Sequence, residues 1–197
     1  MPESCIYDNF TWDSEQEYIQ SLSKRSRKHF RKDIAAFRRS FLVKTCSEIS
    51  FKELQIFYDL YLQVKKHNPG LNTFTYPFKL FEAMNKNVRW EFIYLKLLEV
   101  PETPIVGVMF CYKNPSGKYV PNLIGMDYNY HLRFNVYRQL LFQTVLRAKE
   151  LDCSLVNFGL TAGFEKRKIG ATVIQKCAYL QSRDNFALES LEWLRTD

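Results

Sequence analysis

The sequence predicts one α/β domain over residues 1–197, a central mixed and mostly antiparallel sheet with helices on both faces, preceded by an N-terminal arm of residues 1–13. Three observations predict it. Two S-x-x-E capping boxes are each followed by apolar residues at helical spacing. Three runs of aromatic and β-branched residues in the middle of the chain are joined by turn sequences, the pattern of an antiparallel meander. A long helical run then leads to another short apolar strand, the β-α-β order of a crossover that joins parallel strands.

The elements follow in order. Ser14-Glu15-Gln16-Glu17 opens a helix from about Glu15 to Arg39. Its apolar stripe is Ile19, Leu22, Phe30, Ile34 and Phe37, with Ser26 filling the gap. A short strand spans Phe41 to Cys46. Ser50-Phe51-Lys52-Glu53 opens a second helix, stopped after His67 by Asn68-Pro69-Gly70. Tyr76 to Asn87 reads as a third helix with Pro77 in its first turn. The meander strands are Trp90 to Leu98, Ile105 to Tyr112 and Lys118 to Gly125, the last two joined through Asn114-Pro115-Ser116-Gly117. Asn135 to Leu151 is the crossover helix and Leu155 to Phe158 a buried strand. Gly163 to Gly170 is a basic helical or loop segment, Val173 to Leu180 a strand, and Asn185 to Leu194 a terminal helix.

Composition narrows the function. The content of 46% hydrophobic and 16% aromatic residues is ample for a packed core and argues against disorder. No apolar run is long enough to span a bilayer, and Met1 to Trp12 carries acids where a secretory leader carries bases. Five scattered cysteines without a C-x-x-C pair read as reduced thiols of a cytoplasmic protein. Three histidines without ligand spacing give no metal site. The net charge of +7 is concentrated: Lys24 to Arg39 holds eight Lys or Arg residues and one acid, Asp33, which is itself +7. Such a segment suits a polyanion. Because the same residues carry an apolar stripe, the basic run is a docked helix with cations on its outer faces.

In open α/β sheets, ligands bind beyond the carboxyl ends of the strands and at helix N-termini. The third meander strand ends Ile124-Gly125-Met126-Asp127, and the loop Asn129 to Phe134 leads into the helix at Asn135. Asp127 and His131 are the candidate general bases there. Gly125, Met126, Arg133 and Asn135 are candidates to hold an anionic ligand. The fifth strand ends at Gly159, followed by the cations Lys166, Arg167 and Lys168. Gly159, Lys166 and Lys168 complete a candidate phosphate clamp, set against the plainer reading of a solvated basic turn.

The stretch Gly159 to Ala171, with its Gly…Lys-x-x-x-Gly-Ala pattern, resembles the Fem-type (FemAB-like, acetyltransferase-6-like) branch of the GNAT superfamily. So do the Leu22-Ser23-Lys24-Arg25 opening, Gly107, and Gly125-Met126-Asp127. The likeness covers roughly residues 14–182. It implies a GNAT fold and an N-acyl or aminoacyl transferase. In that fold the donor occupies a V-shaped opening between the fourth and fifth strands, here Lys118 to Gly125 and Leu155 to Phe158. The expected donor is an acyl-CoA thioester, acetyl-CoA or longer, and the acceptor an amine on a small or phosphate-bearing molecule. An aminoacyl-tRNA donor, an RNA-binding role for the basic helix and a catalytically silent domain are the alternatives. Two residues depart from the family pattern. The Arg-x-x-Gly-x-Gly/Ala loop is replaced by Asn129-Tyr130-His131-Leu132-Arg133-Phe134, and Phe164 stands where a Tyr is common.

Overall fold

The computed structural model describes residues 3–68 and 74–177. The expected terminal helix, Asn185 to Leu194, lies outside the described residues, as do residues 178–180 of the expected last strand. A seven-stranded sheet forms the centre. Its strands are β1 (Ser4–Tyr7), β2 (Phe41–Cys46), β3 (Trp90–Leu97), β4 (Ile105–Asn114), β5 (Lys118–Met126), β6 (Leu155–Leu160) and β7 (Thr172–Ile174), in the spatial order β2-β3-β4-β5-β6-β1-β7. All neighbours are antiparallel except β5 and β6. The helices are α1 (Glu15–Ser21), α2 (Lys24–His29), α3 (Phe51–His67), α4 (Phe78–Asn85), α5 (Val136–Glu150) and α6 (Gly163–Lys168). No described helix is long and apolar enough to cross a membrane.

Alternation along the strands separates two cores. Phe92 and Tyr94 of β3, with Val108 and Phe110 of β4, face α3 and α4 and meet Phe57, Tyr61 and Phe81. Ile93, Leu95, Met109 and Cys111 face the other way, toward α5 and the α1–α2 segment, where Tyr18, Phe30 and Phe142 pack ring against ring. Two glycines let the helices approach. A Cβ on Gly107 would lie 2.5 Å from Val136 Cγ1 of α5, and one on Gly125 would lie 2.8 Å from both Leu60 Cβ and the Tyr61 backbone nitrogen of α3.

Three expectations need correction. Within the expected arm of residues 1–13, Ser4–Tyr7 is instead a strand inserted between β6 and β7 with Cys5 and Tyr7 buried. Four residues are too short for a legible period, and their partners lie at the far end of the sequence. The helix from Glu15 to Arg39 is broken. Leu22 is extended (φ −70, ψ 150), Ser23 caps α2 by accepting the Ser26 N–H, and Arg27 Nη1 closes the break on the carbonyls of Gln20 and Leu22. After His29 the coil widens to a π turn (Phe30–Ile34) and tightens to a 3₁₀ turn (Ala35–Ser40). These changes bring Leu22, Phe30 and Ile34 onto one core. Among the described residues the last strand is Thr172–Ile174, and residues 175–177 of the expected strand are not part of it.

The feature that positions the site is the β5–β6 pair. These parallel strands are joined only at Lys118–Leu155 and Tyr119–Val156. Beyond that the strands separate, β5 running on to Met126 and β6 to Leu160. Pro121, two residues past the last pair, has no N–H to offer a neighbour. On β6 the backbone groups find partners without β5. Asn157 Oδ1 accepts the Gly159 N–H at 3.0 Å, and the Lys166 ammonium donates to the carbonyls of Phe158 (2.7 Å), Leu160 (2.9 Å) and Thr161 (2.9 Å). Buried backbone groups must be paired somewhere. Here side chains do the pairing, and the sheet stays split.

Candidate functional site

The split opens toward the carboxyl ends of β5 and β6. The β5–α5 loop lies on one side, and α6 with α2 lies on the other. On the β5 side, Asp127 is half-buried. Its Oδ1 accepts the Asn129 N–H at 2.9 Å, and its carbonyl accepts the Tyr130 and His131 N–H groups, so it caps the turn. His131 Nδ1 lies 3.1 Å from the Tyr128 carbonyl. A carbonyl can only accept, so Nδ1 carries a proton, and in the neutral ring Nε2 then holds the lone pair. The rings of His67 and Tyr128 stack at 3.7 Å, and His131 leans on the other partner of that stack at 4.2 Å from Tyr128. The side chains of Asp127 and His131 therefore have separate partners, and among the described residues the hydrogen bond that joins the two residues is the backbone one, His131 N–H to the Asp127 carbonyl at 2.9 Å.

Gly125 and Met126 are buried. Gly125 serves the close approach of α3, and Met126 belongs to the α5-side core. Arg133 is exposed, its guanidinium 5.0 Å from the Phe134 ring centre. Asn135 is left-handed (φ 53, ψ 40), and its Oδ1 accepts from Arg138 Nη1; the Val136 N–H donates to the His131 carbonyl at 3.1 Å. Gly159 has φ +67 with open space where a Cβ would be.

The expected phosphate clamp is not laid out as one. Lys166 is 5% exposed and its three protons go to three carbonyls. Burial holds its pKa below the usual lysine value. Lys168 Nζ binds Glu165 Oε1 at 2.7 Å and lies 4.3 Å from the exposed Phe164 ring. Lys166 has spent its protons on carbonyls, and Lys168 is paired with Glu165.

Sequence reasoning did not find the centre of this region, Arg138 in the first turn of α5. Its Nε and Nη2 grip Glu165 at 2.6 and 3.2 Å, and its Nη1 lies 3.3 Å from Asp33 Oδ2. His29 Nδ1 is 3.3 Å from the same Asp33 oxygen. The network ties the α2–π turn, α5 and α6 together. Burial alone would push the Glu165 carboxyl up, but its hydrogen bonds from Arg138 and Lys168 outweigh this and hold it below the usual carboxylate range. The one available signal was Asp33, the only acid in the basic run.

The outer faces of α2 and the turn after it expose Lys24, Arg25, Lys28, Arg31 and Lys32. No ion pair engages these five among the described residues, and an open hollow lies between four of them and Arg27. Burial pushes the thiols of Cys5, Cys111 and Cys153 up, and that of Cys46 to about 11, so none of these four is poised as a thiolate.

The sequence matches no family model and no curated protein. The fold does match solved structures. FemX superposes with a TM-score of 0.66 over 88% of this chain and 60% of FemX, at 12% identity. A conserved protein of unknown function from Bacteroides thetaiotaomicron VPI-5482 gives 0.57 over 88% and 57%, at 13% identity. L-PGS from Bacillus licheniformis gives 0.51 over 81% and 45%, at 17% identity. The fold is GNAT-like. This chain spans 60% or less of each neighbour's length, and at these identities the likeness is one of fold. The opening between β5 and β6 stands where the resemblance in the sequence implies a GNAT donor groove.

An acyl-CoA donor would need its pyrophosphate at the start of α5. The residues present do not fit it. Arg138 is neutralised by Glu165 and Asp33, Lys166 and Lys168 are engaged, and the first helical N–H is already bonded.

Proposed function

We propose that this chain is an N-acyl transferase that moves an activated acyl group to an amine at the split between β5 and β6. The observation that carries this reading is the parallel pair joined at two positions and then parted, with a half-buried histidine at the mouth. Acyl transfer needs an open strand edge for an extended donor, a base for the amine proton and an N–H for the oxyanion. His131 Nε2 is the base in this proposal, with Asp127 holding the turn that presents it. Backbone N–H groups near Gly125 and Met126 are the candidates for polarising the carbonyl.

Two donors are in question. The acyl-CoA thioester matches the groove but lacks a seat for its pyrophosphate. The five exposed cations on α2 and the following turn, without an ion pair among the described residues, favour the second, an aminoacyl group carried on tRNA, since a row of exposed Lys and Arg binds a phosphodiester backbone by releasing counterions. Calorimetric titration with acetyl-CoA, longer acyl-CoAs and charged tRNA, followed by transfer assays to small amines, tests the reading. Transfer from one donor that falls about a hundredfold or more in His131→Ala supports it. No transfer from any donor overturns it.

A further inference from the structure

We propose that the N-terminal end of α5 is an anion site that the chain fills with its own carboxylates, Glu165 and Asp33, so that no pyrophosphate is seated there. The proposal concerns the donor end of the transferase site and rests on that reading only for the choice of ligand to exclude.

A helix N-terminus carries a partial positive charge, and an arginine in its first turn adds a planar fork suited to two oxygens. Arg138 turns each of the three nitrogens of that fork toward a group of the chain itself. Glu165 takes Nε and Nη2 as a bidentate pair, and Asp33 and Asn135 share Nη1. Such pairs are the strongest of protein hydrogen bonds. Lys168 reinforces Glu165 from the other side at 2.7 Å. The formal charges of Arg138, Lys168, Glu165 and Asp33 cancel, so an incoming dianion meets no net attraction there. Space decides in the same direction. The cavity between Asp33, Arg138, Glu165 and Lys168 measures about 10 Å³, at the lower limit for one water molecule and far below a phosphate group. The two carboxylates come from α6 and from the π turn after α2. Seating a phosphate would mean moving both elements.

The arrangement predicts what removing the carboxylates does. In the full chain, inorganic pyrophosphate and CoA are titrated by calorimetry against the wild type, Arg138→Gln, the double variant Asp33→Asn/Glu165→Gln, and that double variant with Arg138→Gln added. The wild type is expected to show no Arg138-dependent binding at millimolar ligand. The double variant is expected to bind pyrophosphate at least tenfold more tightly, and Arg138→Gln is expected to abolish the gain. Wild-type binding of pyrophosphate or CoA that Arg138→Gln weakens tenfold overturns the proposal. So does a folded double variant that gains nothing. If the double variant does not fold, Glu165→Gln alone carries the same expectation. Transfer assays run alongside separate the two readings. CoA-driven transfer whose KM rises in Arg138→Gln overturns this proposal and leaves the transferase standing. Absence of transfer from every donor, with the gain in pyrophosphate binding intact, overturns the transferase and leaves the filled site standing.

Discussion

α5 carries an arginine–glutamate clamp near each end, and the two clamps sit in opposite surroundings. At the closed end of the sheet, Arg147 grips Glu91 of β3 through Nε (2.9 Å) and Nη2 (3.1 Å), and the Tyr119 hydroxyl donates to the same carboxylate at 2.6 Å. Glu91 is 1% exposed, and Tyr119 belongs to the last pair that joins β5 to β6. At the split end, Arg138 grips Glu165 with similar geometry; the two arginines are about equally exposed, but the Glu165 carboxylate keeps about a quarter of its surface in contact with solvent where Glu91 keeps almost none. The first clamp lies inside a continuous ladder and fixes the back of α5 to the sheet. The second joins helices across a place where the ladder has stopped. One chemical pair thus serves as a rivet where strands are bonded and as a stopper where they are not.

Four experiments break or sharpen this contrast. The largest effect is expected from Arg147→Ala, which leaves Glu91 buried without its main partner. A loss of about 3–5 kcal/mol by urea denaturation is expected. A loss below that of the split-end variants would dissolve the distinction. Lys166→Met comes next. It removes the ammonium that satisfies three carbonyls at the end of β6 and is expected to cost roughly 2–3 kcal/mol. Amide exchange at 158–161 should quicken while the Lys118–Asn114 turn stays protected. Gly125→Ala pushes a methyl group against α3 on the split half of β5, with an expected loss of about 1.5 kcal/mol from overpacking. Glu165→Gln is expected to cost least, under about 1 kcal/mol, because its pair is partly solvated.

Acid sharpens the same contrast. Burial alone would push the Glu91 carboxyl up, but hydrogen bonds from Arg147 and Tyr119 and the nearby charges of Arg147 and Lys113 outweigh this and hold it low. Glu165 is held low in the same manner. A carboxyl whose folded pKa lies below its unfolded value of about 4.3 stabilises the fold fully above that value. The contribution is lost as the pH falls through the folded value. Thermal melts should therefore weaken below about pH 4.3, and Glu91→Gln should flatten that acid limb more than Glu165→Gln. Equal flattening would mean that the two clamps are energetically alike.

Much of this architecture was legible from local pattern. The meander of β3, β4 and β5 follows from aromatic runs and the Asn114–Gly117 turn. The start of α3 follows from its capping box, which is present in full. What was not legible depends on partners distant in the chain. Nothing near Lys166 signals that its protons serve carbonyls, and Arg138 shows no motif, because its partners lie 105 and 27 positions away in sequence. Asp127 and His131 lie in the loop after β5, beside the split, whereas Lys166 and Lys168 are bonded to groups of the chain itself. A cation's neighbours in three dimensions, more than its neighbours in the sequence, decide whether it is free for a ligand.

The insertion of β1 between β6 and β7 bears on how the chain reaches its fold. Cys5 and Thr161, in contact at the end of this strand, are 156 positions apart. At synthesis rates of about 5–20 residues per second, β1 waits on the order of ten seconds or more for the strands that flank it. The β2–β5 half can form in the meantime from neighbouring segments. Closure of the β6-β1-β7 half is a late, high-contact-order step. Refolding kinetics should show it as a slow phase reported by Trp12, which packs beside Tyr7, after the core around Phe57 has already formed.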